Sequence, residues 1–134
     1  MSIRVLHPEG WPRPSGYANG ISASGRTIFV AGQVGWDAQQ RLVSGGLVAQ
    51  ASQALANIVT ILALDEARPE HIVRLTWYVT ERVEYLASSA MLGAAYRDLI
   101  GRHFPAMSAV EVQALMVPGA VVEIEATAVV PHAQ

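Results

Sequence analysis

The chain has 134 residues, the size of one domain that can fold around its own core, and no cysteine, which excludes a disulfide framework, a thiolate metal site and a thiol nucleophile. Only 15% of its residues are charged, against about 25% in an average soluble domain, while 51% are hydrophobic. A net charge of -2 and a pI near 6 leave no basic face for nucleic acid, so none is expected as a partner. So much apolar surface exceeds what one small core hides, and part of it is expected between copies of the chain. The run Met1 to Glu9 has no apolar core of signal-peptide length, and no stretch approaches the roughly 20 apolar residues of a membrane span. The expectation is one soluble, cytoplasmic domain over residues 1–134, without a membrane partner.

Ile3 to Leu6 reads as a short strand, after which Pro8, Gly10, Pro12, Pro14 and Gly16 impose an irregular connector. Tyr17 to Ser22 and Thr27 to Ala31 read as a hairpin around Ser24-Gly25-Arg26, and Gly32, Gly35, Asp37 and Gly45-Gly46 mark a loop. From Leu47 the period lengthens. Val48, Ala51, Leu55, Ile58, Val59 and Leu62 recur at helical spacing and predict a helix over about 47–64, which Pro69 bars from continuing. Ile72 to Thr80 alternates as a strand, with Val73, Leu75, Trp77 and Val79 on one side and Arg74, Thr76 and Tyr78 on the other. A second helix is expected over about 83–101, carried by Leu86, Ala90, Leu92, Tyr96, Leu99 and Ile100 and stopped by Gly101. Two last strands, about 107–116 and 120–130, meet at the turn pair Pro118-Gly119. Such an order predicts an α+β domain in which two helices cover one face of a mixed sheet, leaving the other face to a second copy.

His7, His71, His103 and His132 lack metal-ligand spacing and read as surface or loop side chains, so no metal site is expected. Gly20 and Gly25 flank Ile-Ser-Ala-Ser, neither a nucleophile elbow nor a phosphate loop; a hairpin turn explains them. Trp77 and Tyr78 read as packing residues. Chemistry is best sought in the last strand, where Val122, Ile124, Ala126 and Ala128 alternate with Glu123, Glu125 and Thr127. That spacing puts both carboxylates on one face. They either pair with arginines across an oligomer interface, or one of them lies in a water-limited pocket, where desolvation raises its pKa and suits it to proton transfer. The alternation does not choose between Glu123 and Glu125. Glu111, with Gln113 on the same side of the neighbouring strand, is expected to share their surroundings.

The segments Ser15 to Gly20, Phe29 to Val34, the helix with Gln50, Leu55, Asn57 and Ile58, and Ile72 to Thr80 follow one another in a telling order. Tyr96-Arg97-Asp98, Phe104-Pro105-Ala106 and Val122 to Ala126 continue it, so that nearly the whole chain resembles the YjgF/RidA family, also labelled L-PSP endoribonuclease-like. The resemblance implies a chorismate-mutase-like α+β fold: a mixed six-stranded sheet with two helices packed on one face, assembled as a homotrimer with pockets between subunits. It also implies a small-molecule ligand and no cofactor. Studied members hydrolyse reactive enamines and imines formed from amino acids by pyridoxal-phosphate enzymes. By that resemblance Glu123 is the catalytic residue, positioning or activating the water that attacks the C=N carbon. Tyr17, Ala31, Gly32, Gly93, Met107 and Ala109 take the substrate-binding positions. Such a hydrolysis needs little beyond a held water, a proton shuttle and a fixed electrophile.

Several of these positions depart from the family pattern. Met107 stands where deaminating members have an arginine that clamps the substrate carboxylate, a contact worth about 1.5–3 kcal/mol. Ala31 replaces a serine, Gly93 an asparagine found in some deaminases, and Ala109 a cysteine or small polar residue. Met107 either fills a vestigial cavity or shapes an apolar pocket for a less charged, aromatic or longer-chain substrate, and Arg13 is a candidate replacement cation. The function expected first is a divergent enamine/imine deaminase-type hydrolase; the alternative is a non-catalytic trimer that binds a small metabolite. RNA cleavage or translation inhibition ranks last, for want of a basic, aromatic-studded face.

Overall fold

The alternating C-terminal run becomes the axis of the structure. The computed structural model describes residues 3–132. In chain order its elements are β1 (Ile3–Leu6), β2 (Gly20–Ala23), β3 (Arg26–Val34), α1 (Gly46–Ala63), β4 (Ile72–Val79), α2 (Arg82–Ala87), α3 (Ser89–Leu99), β5 (Ala106–Glu111) and β6 (Val122–Val130). β6 lies between β3 and β4, antiparallel to both, and β5 joins β4 in parallel. Its Val122, Ile124, Ala126 and Ala128 point into the core. β1 and β2 form an antiparallel pair of their own. One bridge, Ala18 to Ala106, ties that pair's neighbourhood to the larger sheet, and the Ala18 N–H donates to the Pro105 carbonyl at 2.9 Å. All six expected strands are therefore present in a mixed α+β arrangement, hydrogen-bonded as a group of four and a group of two.

Strand pairing differs from the expectation in two places. The segments around Ser24-Gly25-Arg26 do not form a hairpin, because β2 pairs with β1 while β3 pairs with β6. Gly25, at φ 147°, passes the chain from one sheet to the other, against the Val130 backbone. Alternation marks a segment as a strand but does not name the edge it joins. β5 also ends early, at Glu111. Residues 112–121 form a loop in which Pro118-Gly119 turns the chain and the Ala120 N–H reaches the Val117 carbonyl at 3.1 Å. β4 separates β5 from β6, and Glu111 accepts a hydrogen bond from the Arg82 N–H at 2.7 Å, at the start of α2. Glu111 and Gln113 thus do not share the surroundings of Glu123. The second helix is interrupted at Ser88, which separates α2 from α3.

The α1 stripe of Leu47, Ala51, Ala54, Leu55, Ile58 and Leu62 is buried and joins Leu75, Val122 and Ile124 in the core. Each of its large side chains contributes roughly 1.5–3 kcal/mol by leaving water. By length and composition alone this 18-residue helix is also apolar enough to cross a membrane. Here its apolar stripe is packed on the sheet.

One polar side chain ties the long loop to this layer. Gln50 is 6% exposed; its Nε2 donates to the Gly119 carbonyl at 3.1 Å and its Oε1 accepts from the Val121 N–H at 2.9 Å. Gly35 makes room for it, since a Cβ there would lie 2.5 Å from the Gln50 Cα. Asn57 adds a bond from Nδ2 to the Trp36 carbonyl at 3.0 Å. Replacing Gln50 by leucine leaves the Gly119 carbonyl and the half-buried Val121 N–H without their side-chain partner. Urea unfolding of Gln50→Leu should show a loss of about 2–3 kcal/mol, whereas a loss below about 0.5 kcal/mol would mean that the loop is held by other means.

Candidate active site

A sheet has two faces, and here the helices cover one of them. By register, Glu123 and Glu125 of β6 stand on the open face beside Tyr78 and Thr76 of β4, with Ser108 of β5 across from Thr76. The neighbouring β3 is irregular at this level. Its pairing with β6 shifts between Val30 and Gln33, so that Ala31 and Gly32 together oppose Glu125 alone. The bulge brings the bare Cα of Gly32 against the Glu123 carboxyl group. A Cβ at Gly32 would lie 2.7 Å from Glu123 Cδ, closer than any side chain could tolerate.

The two glutamates, indistinguishable by alternation, differ in their partners. Glu125 accepts a hydrogen bond from the Tyr78 hydroxyl at 2.7 Å. That bond, with some burial and the carboxylates nearby, raises the Tyr78 phenol above its ordinary value, because an ionised Tyr78 would set negative charges side by side. Tyr78 is thus a positioned donor, not the packing residue expected. No side chain among the described residues plays that part for Glu123. Near the pair, a hollow of about 330 Å³ on the open face is lined by Phe29, Ala31, Arg74 and Glu125, which brings one arginine into reach of this surface.

Met107 lies on the other side. It pairs across the parallel ladder with Leu75, and Ala109 with Trp77, so both belong to the helix-covered face. Met107 lines a cavity of about 480 Å³ between the helices and the sheet, together with Gly16, Trp77, Tyr85, Gly93 and Arg97. Arg97 is the cation of this cavity. Its guanidinium folds back over Gly93, where an added Cβ would sit 3.2 Å from Nη1. Tyr17, 42% exposed, lines a separate hollow of about 240 Å³ with Arg13 and Phe104.

The expected site residues therefore fall into three places: Glu123 with Ala31 and Gly32, Met107 with Gly93 and with Ala109 on the same face, and Tyr17 with Arg13. Within one chain the sheet itself stands between Glu123 and Met107. Arg97, absent from the expected set, was signalled only by its spacing of one helical turn from Gly93. Among the described residues no group of three or more His, Asp or Glu side chains could hold a metal ion.

Comparison with known proteins adds the following. The family model for endoribonuclease L-PSP matches residues 12–130. Protein DfrA of Myxococcus xanthus is 31% identical over 136 residues, covering 96% of this chain and 97% of its own. The 2-iminobutanoate/2-iminopropanoate deaminase of Capra hircus is 38% identical over 105 residues, covering 78% of this chain and 73% of that protein. The crystal structure of YyfB from Yersinia pestis, a protein of unknown function in the conserved Rid family, superimposes with a TM-score of 0.82 at 40% identity. It covers 97% of this chain and 100% of its own.

The Tyr78–Glu125 bond can be read by titration. In the spectrophotometric difference against Tyr78→Phe, Tyr78 should ionise above its ordinary value of 10.0, and Glu125→Gln should bring it down. A titration untouched by Glu125→Gln would show that the bond is not made in solution.

Proposed function

The chain belongs to the endoribonuclease L-PSP family, also called YjgF/RidA, and from that premise we propose that it is a divergent hydrolase of small reactive imines or enamines, working in clefts between copies of a cytoplasmic homotrimer. The seat of Glu123 carries this proposal. Its carboxylate is held at the β3 bulge, against the bare Cα of Gly32, while its neighbour Glu125 is taken up by Tyr78. Lone pairs without a side-chain donor among the described residues are free to take the hydrogen of a water. As the water oxygen adds to the C=N carbon, Glu123 accepts the released proton and then returns it to nitrogen. Glu123 then takes the hydroxyl proton of the resulting carbinolamine and delivers it to the amino nitrogen, so that the C–N bond breaks, ammonia leaves and a carbonyl forms. The chain has neither cysteine nor lysine, so thiol addition and a lysine Schiff base are not open to it, and a carboxylate-held water is the simplest nucleophile. The similarity to 2-iminobutanoate/2-iminopropanoate deaminases supports the same chemistry.

A second copy is part of the proposal for a physical reason. The open face carries Phe29 at 79% exposure and Val110 at 46%, large apolar side chains that a lone chain leaves in water. Covering that face would shield the cleft around Glu123 from bulk water. It would also offer Glu123 the Met107 side of a neighbouring chain, which its own sheet keeps from it. The competing reading, a trimer that binds a metabolite without turning it over, is favoured by Met107, Ala31 and Ala109, where polar contacts of the family pattern are missing.

With imines generated in place by a pyridoxal-phosphate enzyme, the wild-type chain should release ammonia, and Glu123→Ala should lose about 10²-fold or more of that rate while eluting at the wild-type size. Saturable binding with no ammonia from any imine in the panel would instead favour the binding trimer. Phe29→Asp should shift size-exclusion elution to a smaller species at unchanged helix content, because it sets a charge in the apolar contact. Elution at the wild-type position would place the interface elsewhere.

A further inference from the structure

We propose that the outward face of α2 and α3 is a docking surface for a second copy of this chain, with the helices of the two copies parallel about a two-fold axis. The contact is separate from the open sheet face and requires neither Glu123 nor turnover.

The helical segment from Arg82 to Leu99 is apolar on two opposite sides. Tyr85, Leu92 and Tyr96 turn inward and pack on the core, as one face of a surface helix must. The outer side should then be polar. It carries instead Val83, Leu86, Ala87, Met91 and Ala94, all exposed, with Val83 at 76%, Leu86 at 61% and Met91 at 63%. Their spacing of three and four residues gathers them into one stripe. The break at Ser88 does not scatter it. The Ser88 N–H donates to the Glu84 carbonyl and the Leu92 N–H to the Ser88 carbonyl, each at 2.9 Å, so the helical phase passes from α2 into α3. A single exposed apolar side chain is ordinary, whereas a continuous stripe marks a contact.

The charges bordering the stripe say what covers it. At about 100° per residue, Arg82 and Arg97 fall on one flank and Glu84 and Asp98 on the other. Arg97 also lines the Met107 cavity, on the Gly93 side of the stripe. The ion pairs of the described residues are Arg26–Asp65, Arg41–Asp37 and Arg68–Glu70, so none of the four has a counter-charge among them. A two-fold axis along the helices sets each basic flank against the partner's acidic one: Arg82 meets Glu84, and Arg97 meets Asp98. An antiparallel two-fold sets like against like, Arg82 near Arg97 and Glu84 near Asp98. Flanking charges of this kind choose orientation and partner, as they do along a coiled coil. A surface complementary to itself is what an isologous contact requires. A membrane surface would instead favour a polar side rich in Lys and Arg, and here the two flanks cancel. From Val83 to Ala94 the stripe is roughly 17 Å long, too short for a standard interface of roughly 1,600 Å², so the association is weak and depends on concentration.

The test is sedimentation velocity on the full wild-type chain from micromolar to millimolar concentration. A species of twice the mass of the basic assembly should grow with concentration and recede as salt is raised. Leu86→Glu should hold the protein at the single mass with an unchanged circular dichroism spectrum. The doubly substituted chains Glu84→Lys with Asp98→Lys, and Arg82→Glu with Arg97→Glu, should each stay single, and their equimolar mixture should double again. Because the chain has no cysteine, Ala94→Cys reports the orientation. In a parallel pair it should oxidise to a disulfide with its own copy, whereas in an antiparallel pair it would face Leu86. Glu123→Ala should double as the wild type does, so failure of the hydrolysis proposal and failure of this one are separable. Doubling untouched by Leu86→Glu, a mixture that stays single, or preferred cross-linking of Ala94→Cys to Leu86→Cys would each overturn the assignment. A single mass at every concentration would overturn it too, and flotation with phosphatidylglycerol vesicles that Leu86→Glu abolishes would then give the stripe to a membrane.

Discussion

Each strand of a sheet must send consecutive side chains to opposite faces, and in β6 that constraint divides the whole molecule. Val122, Ile124, Ala126 and Ala128 enter the core, so Glu123 and Glu125 have to stand on the far side. Since β6 is an inner strand, bonded on both edges, its phase is passed to β3 and β4 through the hydrogen-bond register. A slip of one residue would drive two carboxylates into the core and bring Val122, Ile124 and the two alanines out. Burial of the apolar set therefore also fixes where the acids stand, and folding energy and chemistry are not separately adjustable here.

The β3 bulge adds what the register alone could not. A regular strand would carry a side chain beside Glu123, whereas the extra residue at Ala31–Gly32 presents bare backbone. Glu123 thereby sits against a small, apolar surface, while Glu125, two residues on, is engaged by Tyr78. Two chemically identical side chains on one strand acquire different surroundings through their neighbours on adjacent strands. The same dependence on neighbours holds on the opposite face, where Gly93 leaves the Arg97 guanidinium its place in the Met107 cavity.

How much of this was legible in the residues follows from the range of each signal. Local periodicity identified β6, β4 and the α1 stripe, because it is a property of consecutive residues. It misled wherever a distant choice mattered. Tyr17 to Ala31 was read as one hairpin, yet β2 and β3 prefer different partners, and β5 was extended past Glu111, where its ladder to β4 stops. The break at Ser88 was invisible because apolar spacing continues across it. Of the candidate site, Glu123 and Gly32 were named from the family resemblance and do meet at the bulge. Their separation from Met107 follows from strand phase and from β4 lying between β5 and β6, which no single segment encodes. Arg97 went unnoticed as a cation because its effect depends on what residue 93 lacks.

The β1–β2 pair has its own consequence for motion. Among the described residues its strand-type link to the four-stranded sheet is one bridge, between Ala18 and Ala106, beside the bond to Pro105, and most of its side chains are exposed. A unit attached so sparsely can come away from the sheet without melting the core behind it, and its amides would exchange with solvent by that opening long before those of β6. The hollow shared by Tyr17 and Arg13 leans on this unit through Val5 and His7 and would come apart with it. The aromatic walls beneath α3, anchored in β4, would outlast the excursion.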